Sequence, residues 1–222
     1  MKKYILPLLA CLLAASACEL KDEYYVKNIQ DIVTAVSKTE LQNDYGTVYT
    51  VTVDNTDGAW KKDVRYLISF DITNRQYDID LNAYKECNLV TPSPLAGELP
   101  LGDPVAIESQ TISGGYFNVF FSYYKKKDSS YPHRFSMHFV DDSEKGILEL
   151  YLTHDGNGEN PAFLDKEELE LTSDLYCFHL AGLLPEGTYR TLWLYIDEVD
   201  QEEGVKVIKR NGYRLYDQSI IF

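Results

Sequence analysis

Positive charge is scarce in this chain. Lys and Arg number 21 against 35 Asp and Glu, a net charge of −14 over 222 residues. The only charges in residues 1–17 are Lys2 and Lys3, so their removal leaves −16. Such a chain repels phosphate backbones and anionic lipid head groups, which excludes nucleic-acid binding and polybasic docking to membranes. Methionine is nearly absent, at 2, while Tyr reaches 18 and Phe 9, a bias toward strands over helices. After residue 17 there is no long apolar run, no internal repeat and no low-complexity tract. Catalytic signatures are also missing. There is no Gly-x-Ser-x-Gly, no phosphate-cradling Gly loop, no His-Glu-x-x-His and no Cys-x-x-Cys. Nothing points to an enzyme, a cofactor or a metal centre. A pair of carboxylates chosen from 35 would carry no information about glycoside chemistry.

What is present begins at the N-terminus. Lys2 and Lys3 precede an apolar run from Tyr4 to Ala15 that is too short to span a bilayer, the pattern of a secretory signal over residues 1–17. Ala15-Ser16-Ala17-Cys18 resembles the bacterial lipobox, with Ala15 where Leu is usual. The resemblance implies thioether attachment of a diacylglycerol to Cys18 and cleavage before it. At ~0.8 kcal/mol per buried methylene, two or three acyl chains hold a protein at a membrane nearly permanently. Residues 18–25 form an acidic tether. Within it, Lys21-Asp22-Glu23 looks like the export signal that sends Bacteroidota lipoproteins to the outer face of the outer membrane. The expected location is the outer membrane, lipid-anchored and surface-exposed, rather than its periplasmic face.

The remainder reads as short strands, an all-β fold. Residues 29–38 fit helix or strand, and their β-branched content favours strand. Val64, Tyr66, Ile68, Phe70 and Ile72 alternate with polar residues, as do Tyr77, Ile79 and Leu81. Residues 91–104 hold four of the eight prolines and no periodic pattern. They divide a unit over 26–92 from a larger one over 105–222, with 93–104 as a Pro-rich linker. The second unit has six or more strands, around Phe117–Tyr123, Phe135–Phe139, Leu148–Leu152, Tyr176–Leu180, Leu192–Ile196 and 205–222, and these suggest a sandwich. Asn211-Gly212 reads as a hairpin turn or an irregular edge, and 165–171 as a short helical turn.

Segments 103–124, 146–159 and 175–183, with His133 before an alternating strand, are similar to the C-terminal domain of the NigD-like lipoproteins. "VRYLISFDI" and "YDIDLNAYKEC" fall where that family has the last strands of an OB-like N-terminal domain. The resemblance implies a small OB-like barrel followed by a β-sandwich on a lipid anchor. It also implies a non-catalytic binding or bacteriocin-associated, immunity-type role, and it carries over no catalytic residue.

Four further features need placing. Cys87 and Cys177 are an even pair in an oxidising compartment once Cys18 is acylated. A bridge between them would close a loop of about 90 residues, worth ~4–5 kcal/mol in the entropy model. Strand cysteines more often pack as small hydrophobes, which favours two free thiols in different cores. His133, His138, His154 and His179 lack metal-ligand spacing, and His138 and His179, each within a strand, read as polar tips on a sheet face. Asp155, Asn157 and Glu159 alternate like a calcium loop, but the sixth position is not Gly and the twelfth is Lys166, so a hairpin loop is the better account. Trp60, Tyr116, Trp193 and Tyr195 could offer flat faces to sugar rings, or simply fill core and rim. The ligand class therefore stays open among a protein, a peptide and, as the alternative role, a glycan.

Overall fold

The structure is a computed structural model and describes residues 25–56, 58–181, 188–189, 191–203, 205–216 and 220–221. Cys18, Lys21, Asp22 and Glu23 lie outside the described residues. Among these residues the only helical element is a 3₁₀ turn, Lys166–Glu168, within the stretch where the sequence predicts a helical turn.

The first unit is a closed barrel of five strands: β1 (Val26–Ala35), β2 (Glu40–Asn43), β3 (Val48–Asp54), β4 (Arg65–Ile72) and β5 (Asp78–Glu86). The strand order is β1-β2-β3-β5-β4, with β4 returning to β1. β3 and β5 run parallel and the other neighbours antiparallel. This is the OB-like barrel, in which closure removes the free sheet edges. The alternation in the sequence explains its core: Val33, Ala35, Leu41, Tyr66, Ile68, Phe70, Ile79 and Leu81 all point inward. Tyr77 does not join them. It sits before β5 at φ 61° in a turn and is exposed, because Asn74 and Asp78 close that turn around it.

The second unit packs two sheets face to face. Its strands are β6 (Asn88–Val90), β7 (Ser93–Pro94), β8 (Val105–Ser113), β9 (Tyr116–Lys126), β10 (Arg134–Asp142), β11 (Ile147–Asp155), β12 (Leu169–His179), β13 (Thr188–Tyr189), β14 (Thr191–Glu202), β15 (Val205–Tyr216) and β16 (Ile220–Ile221). One sheet has the order β15-β14-β11-β10-β7 and the other β6-β12-β9-β8, while β13 and β16 pair separately. Phe117, Val119, Phe121, Phe135, Met137, Leu148, Leu150, Leu152, Phe178, Leu192 and Leu194 interlock between the two sheets. The chain crosses between units early: β6 pairs with β12 and β7 with β10, so residues 88–94 already belong to the sandwich sheets. Asn211-Gly212 is not a turn. β15 runs straight through it, and between β14 and β15 the described residue Glu203 takes a left-handed φ of 49°.

The four-stranded sheet is covered on both faces, which accounts for the aromatics on both sides of β9. Phe117, Val119 and Phe121 face the sandwich core, while Tyr116 and Phe120 pack with Leu175 and Cys177 against Ile32, Leu67 and Cys87 at the barrel. The molecule is thus three-layered: barrel, four-stranded sheet, five-stranded sheet. A buried ion pair of the barrel sits at the first junction and bonds across it to the four-stranded sheet. The Arg65 guanidinium donates to both carboxylate oxygens of Asp44 at 2.7 and 2.8 Å, donates to Asn118 Oδ1 at 3.2 Å and lies 3.8 Å over the Tyr116 ring. Burial by itself would lower the Arg65 pKa, but the Asp44 carboxylate outweighs it and holds the group charged. Asp44 also accepts from Ser113 Oγ, at the turn where Gly114 has φ 56°. A Cβ on Gly114 would meet Asp44 Oδ1 at 2.6 Å, so the close approach of the two units needs glycine there.

Candidate functional site

The solvent side of the five-stranded sheet is the face left uncovered by the layering. Parallel pairing of β11 with β14 sets Glu149 beside Trp193 and Tyr151 beside Tyr195. The Tyr151 and Tyr195 rings stack at 4.5 Å with 7° between planes, and Trp193 continues the row at 6.4 Å and 24°. Tyr195 leans over Gly212 of β15, where a Cβ would meet the ring at 2.6 Å. Both tyrosine hydroxyls donate to the Glu149 carboxylate, which fixes the row from one side.

A strap crosses this face. It is the Pro-rich segment after β7, and it is tied to the sheet rather than loose. Arg210 grips Asp197 with Nε and Nη2 and donates to the carbonyls of Leu99 and Pro100. Gly102 N–H donates to Asp197 Oδ2 at 2.6 Å, and Asp103 N–H to the His154 carbonyl at 2.7 Å. Two clefts border the strap. The larger, about 900 Å³, is walled by Leu99, Leu101, Arg134, His138, Phe163 and Ile208. The smaller, about 470 Å³, lies against Tyr151 and Arg210. Phe163 and Leu101 are exposed, large apolar groups at the mouth of the larger one.

The floor of the larger cleft rests on a buried polar knot. Asp103 Oδ2 accepts the N–H groups of Gly156 and Gly158, and its Oδ1 accepts from Asn160 Nδ2. Next to it, His133 Nδ1 meets His154 Nε2 at 2.8 Å and His133 Nε2 meets Glu159 Oε2 at 3.2 Å. Glu159 also accepts from Ser129 Oγ and from the Lys126 N–H. Burial alone would raise the Glu159 carboxyl, but these donors hold it below the usual carboxylate range. An ionised carboxylate only accepts, so His133 carries its proton on Nε2. With both rings neutral, His154 donates from Nε2 and its Nδ1 is left bare and buried, beside the backbone of Asp103 and Pro104. Burial, then His133, pushes the His154 pKa down to about 4.

This knot ties down the loop after β11. Ser129 donates to the Glu159 carboxylate directly. The donors face one another pairwise, and no group of three His, Cys, Asp or Glu among the described residues could hold a metal ion. Asp155, Asn157 and Glu159 do not converge on a cation either: Asp155 accepts from Tyr131 and Glu159 from Ser129. Their segment is not a hairpin loop, since it leads out of β11 toward β12 in the opposite sheet.

The residues singled out from the sequence divide between places. Trp193 and Tyr195 share the outer face. Trp60 does not join them: it packs edge-on to Tyr84 at the barrel and donates from Nε1 to the Ser37 carbonyl. Tyr116 is taken up at the junction between Arg65 and His179. Cys87 and Cys177 are both buried free thiols in this structure, and they sit in one shared cluster rather than in different cores. His138 lies on the outer face with Ser93 Oγ at 3.0 Å. The pairing of His133 with His154 and the role of Asp103 were missed. The available signal was the Asp103-Pro104 step together with glycines at 156 and 158, a spacing at which backbone N–H groups can surround one carboxylate.

No protein-family model matches the chain, and no curated protein matches it in sequence. Solved structures do match in fold. A NigD-like immunity protein from Bacteroides caccae superposes with a TM-score of 0.60 at 17% identity, covering 86% of this chain and 98% of that one. A protein of unknown function from Bacteroides vulgatus gives 0.62 at 17% identity, over 84% and 89% of the two chains. A protein from Bacteroides fragilis classed provisionally as a lipoprotein gives 0.59 at 14%, over 86% and 99%. The chain therefore shares, over most of its length, the all-β fold of a NigD-like immunity protein.

Proposed function

We propose that this chain is a membrane-anchored lipoprotein with a non-catalytic, immunity-type binding role, held at the outer-membrane surface through Cys18 and recognising a protein or peptide on the outer face of its five-stranded sheet. The observation that carries the reading is the strapped face itself. A cleft of about 900 Å³ with exposed Phe163 and Leu101 at its mouth sits on a buried polar knot whose groups are paired with one another. Rigid walls around an apolar centre suit binding more than turnover. The shared fold with a NigD-like immunity protein supports the same reading. The acidic surface favours a basic partner through long-range attraction. The test is protection. Cells carrying the chain should survive a killing activity in competitor culture fluid better than cells lacking it. Phe163→Asp with Leu101→Asp should abolish protection without lowering surface display. Equal killing with and without the chain, against a panel of competitors, contradicts the proposal.

A second reading is favoured by the stacked row of Trp193, Tyr195 and Tyr151, which combines flat apolar faces with a carboxylate at its edge, a combination suited to sugar rings. Retardation in polysaccharide affinity gels that disappears in Trp193→Ala supports it. Unretarded migration with every host and dietary polysaccharide tried removes it.

A further inference from the structure

We propose that Cys87 and Cys177 form a modification site: the two thiols are oxidised to a disulfide that staples the barrel to the sandwich at their junction. Cys87 follows the last barrel strand, and its N–H is bonded to the Arg65 carbonyl of β4. Cys177 lies in β12 of the four-stranded sheet, level with Leu89 of β6. Continued by one residue, the parallel register Asn88↔Tyr176 sets Cys87 opposite Leu175, two residues along β12 from Cys177, and both cysteines pack toward the barrel residues Ile32 and Leu67. The two residues form one buried cluster with Leu175, and the sequence has no other cysteine after residue 18. The two thiols lie near enough for each to shift the other's titration, Cys87 upward and Cys177 downward. The Arg65 guanidinium lies beside the Cys177 sulfur, and these two neighbours hold the Cys177 thiol below its ordinary pKa against the opposing effect of burial.

The chemistry balances with a disulfide donor of the thiol oxidoreductase class. One of the two cysteine thiolates attacks one sulfur of the donor disulfide, the donor S–S bond breaks, and the first donor thiolate leaves. The other cysteine then loses its proton and attacks the first cysteine's sulfur in the mixed disulfide, expelling the second donor thiolate. The chain loses two electrons and two protons, and the donor gains them as two thiols. Cys87 is 8% exposed and Cys177 fully buried, so the exchange belongs to folding, before the junction closes. The inference rests on the export reading above, because an oxidising compartment is what supplies the donor.

The test uses the full chain isolated from cell envelopes with accessible thiols blocked at lysis. The protein is unfolded in denaturant, treated with a maleimide with or without prior reduction, and digested. The bridge predicts no maleimide on Cys87 or Cys177 without reductant, a cross-linked peptide pair, and label on both after reduction. Label on both without reductant overturns it. The Cys18 peptide is read in the same digest, so a missing lipid and a missing bridge are separate results. As a second readout, reductant should lower the wild-type melting temperature by roughly 10 °C while leaving a Cys87→Ser, Cys177→Ser chain unmoved. An equal melting temperature of wild type with and without reductant also overturns the bridge.

Discussion

His154 shows how much one buried ring can govern. Its folded pKa of about 4 lies below the ordinary 6.5, so the unfolded chain takes up the proton first as pH falls. The stability from keeping this ring neutral is complete above about pH 6.5, declines between 6.5 and 4, and is gone below 4. It amounts to something on the order of 3 kcal/mol. Glu159 acts with the same sign, since its carboxyl is held below its ordinary range and its contribution is lost as pH falls through that lowered value. Urea titrations from pH 8 to 4 should therefore show a midpoint that falls steeply below pH 6.5, and His154→Phe should flatten that slope. A wild-type midpoint independent of pH across this window contradicts the assignment. Asp44 poses the complementary case. Asp44→Ala strands the Arg65 charge in a buried site and should cost ~3–5 kcal/mol, measured by the same titration at neutral pH. A loss under 1 kcal/mol would mean that the pair is solvated. Neither residue announces itself in the sequence. A lone His and a turn Asp acquire their roles from partners 21 positions away, His133 and Arg65 respectively.

At the scale of elements, alternation made the strands readable. Ile68, Phe70 and Ile79 in the barrel, and Leu148, Leu150 and Leu192 in the sandwich, are inward because period-two patterning on a half-buried sheet leaves little choice. It worked least well where both faces are covered. In β9 the inward row is Phe117, Val119 and Phe121 and the other row includes Tyr116 and Phe120, so hydrophobicity alone does not say which side faces which layer. Proline misled in the strap. Pro92, Pro94, Pro100 and Pro104 do interrupt regular strands, but the backbone groups between them are paired from outside by Arg210, Asp197, Phe139 and His154. The strap is thus an ordered wall of both clefts. Arg210→Ala should speed amide exchange at Gly102 and Asp103 by about tenfold or more and leave barrel amides unchanged. Uniform rates across the chain, or no change at Gly102, would contradict the strap as a separately held element.

At the scale of the whole molecule, the barrel and the sandwich are joined by a small apolar cluster and by hydrogen bonds of the barrel's buried Arg65–Asp44 pair with Ser113 and Asn118, not merely by a linker. Unfolding should be a single transition by both tyrosine fluorescence and far-UV dichroism. Asp44→Ala should separate it into two, because that change removes the polar link without touching either core. Two transitions in the wild type would show that the junction couples the units weakly. Composition and strand count together made the all-β architecture of barrel and sandwich legible. The face proposed to bind was only half legible, since Trp193 and Tyr195 stood out while the strap, the clefts and the polar knot depend on contacts between distant segments. The most direct measurement of the account is the mass of the N-terminal peptide from the chain recovered in the membrane fraction. It should begin at Cys18 and carry the diacylglyceryl group. A chain recovered from the soluble fraction with an unmodified N-terminus would contradict the account at its base.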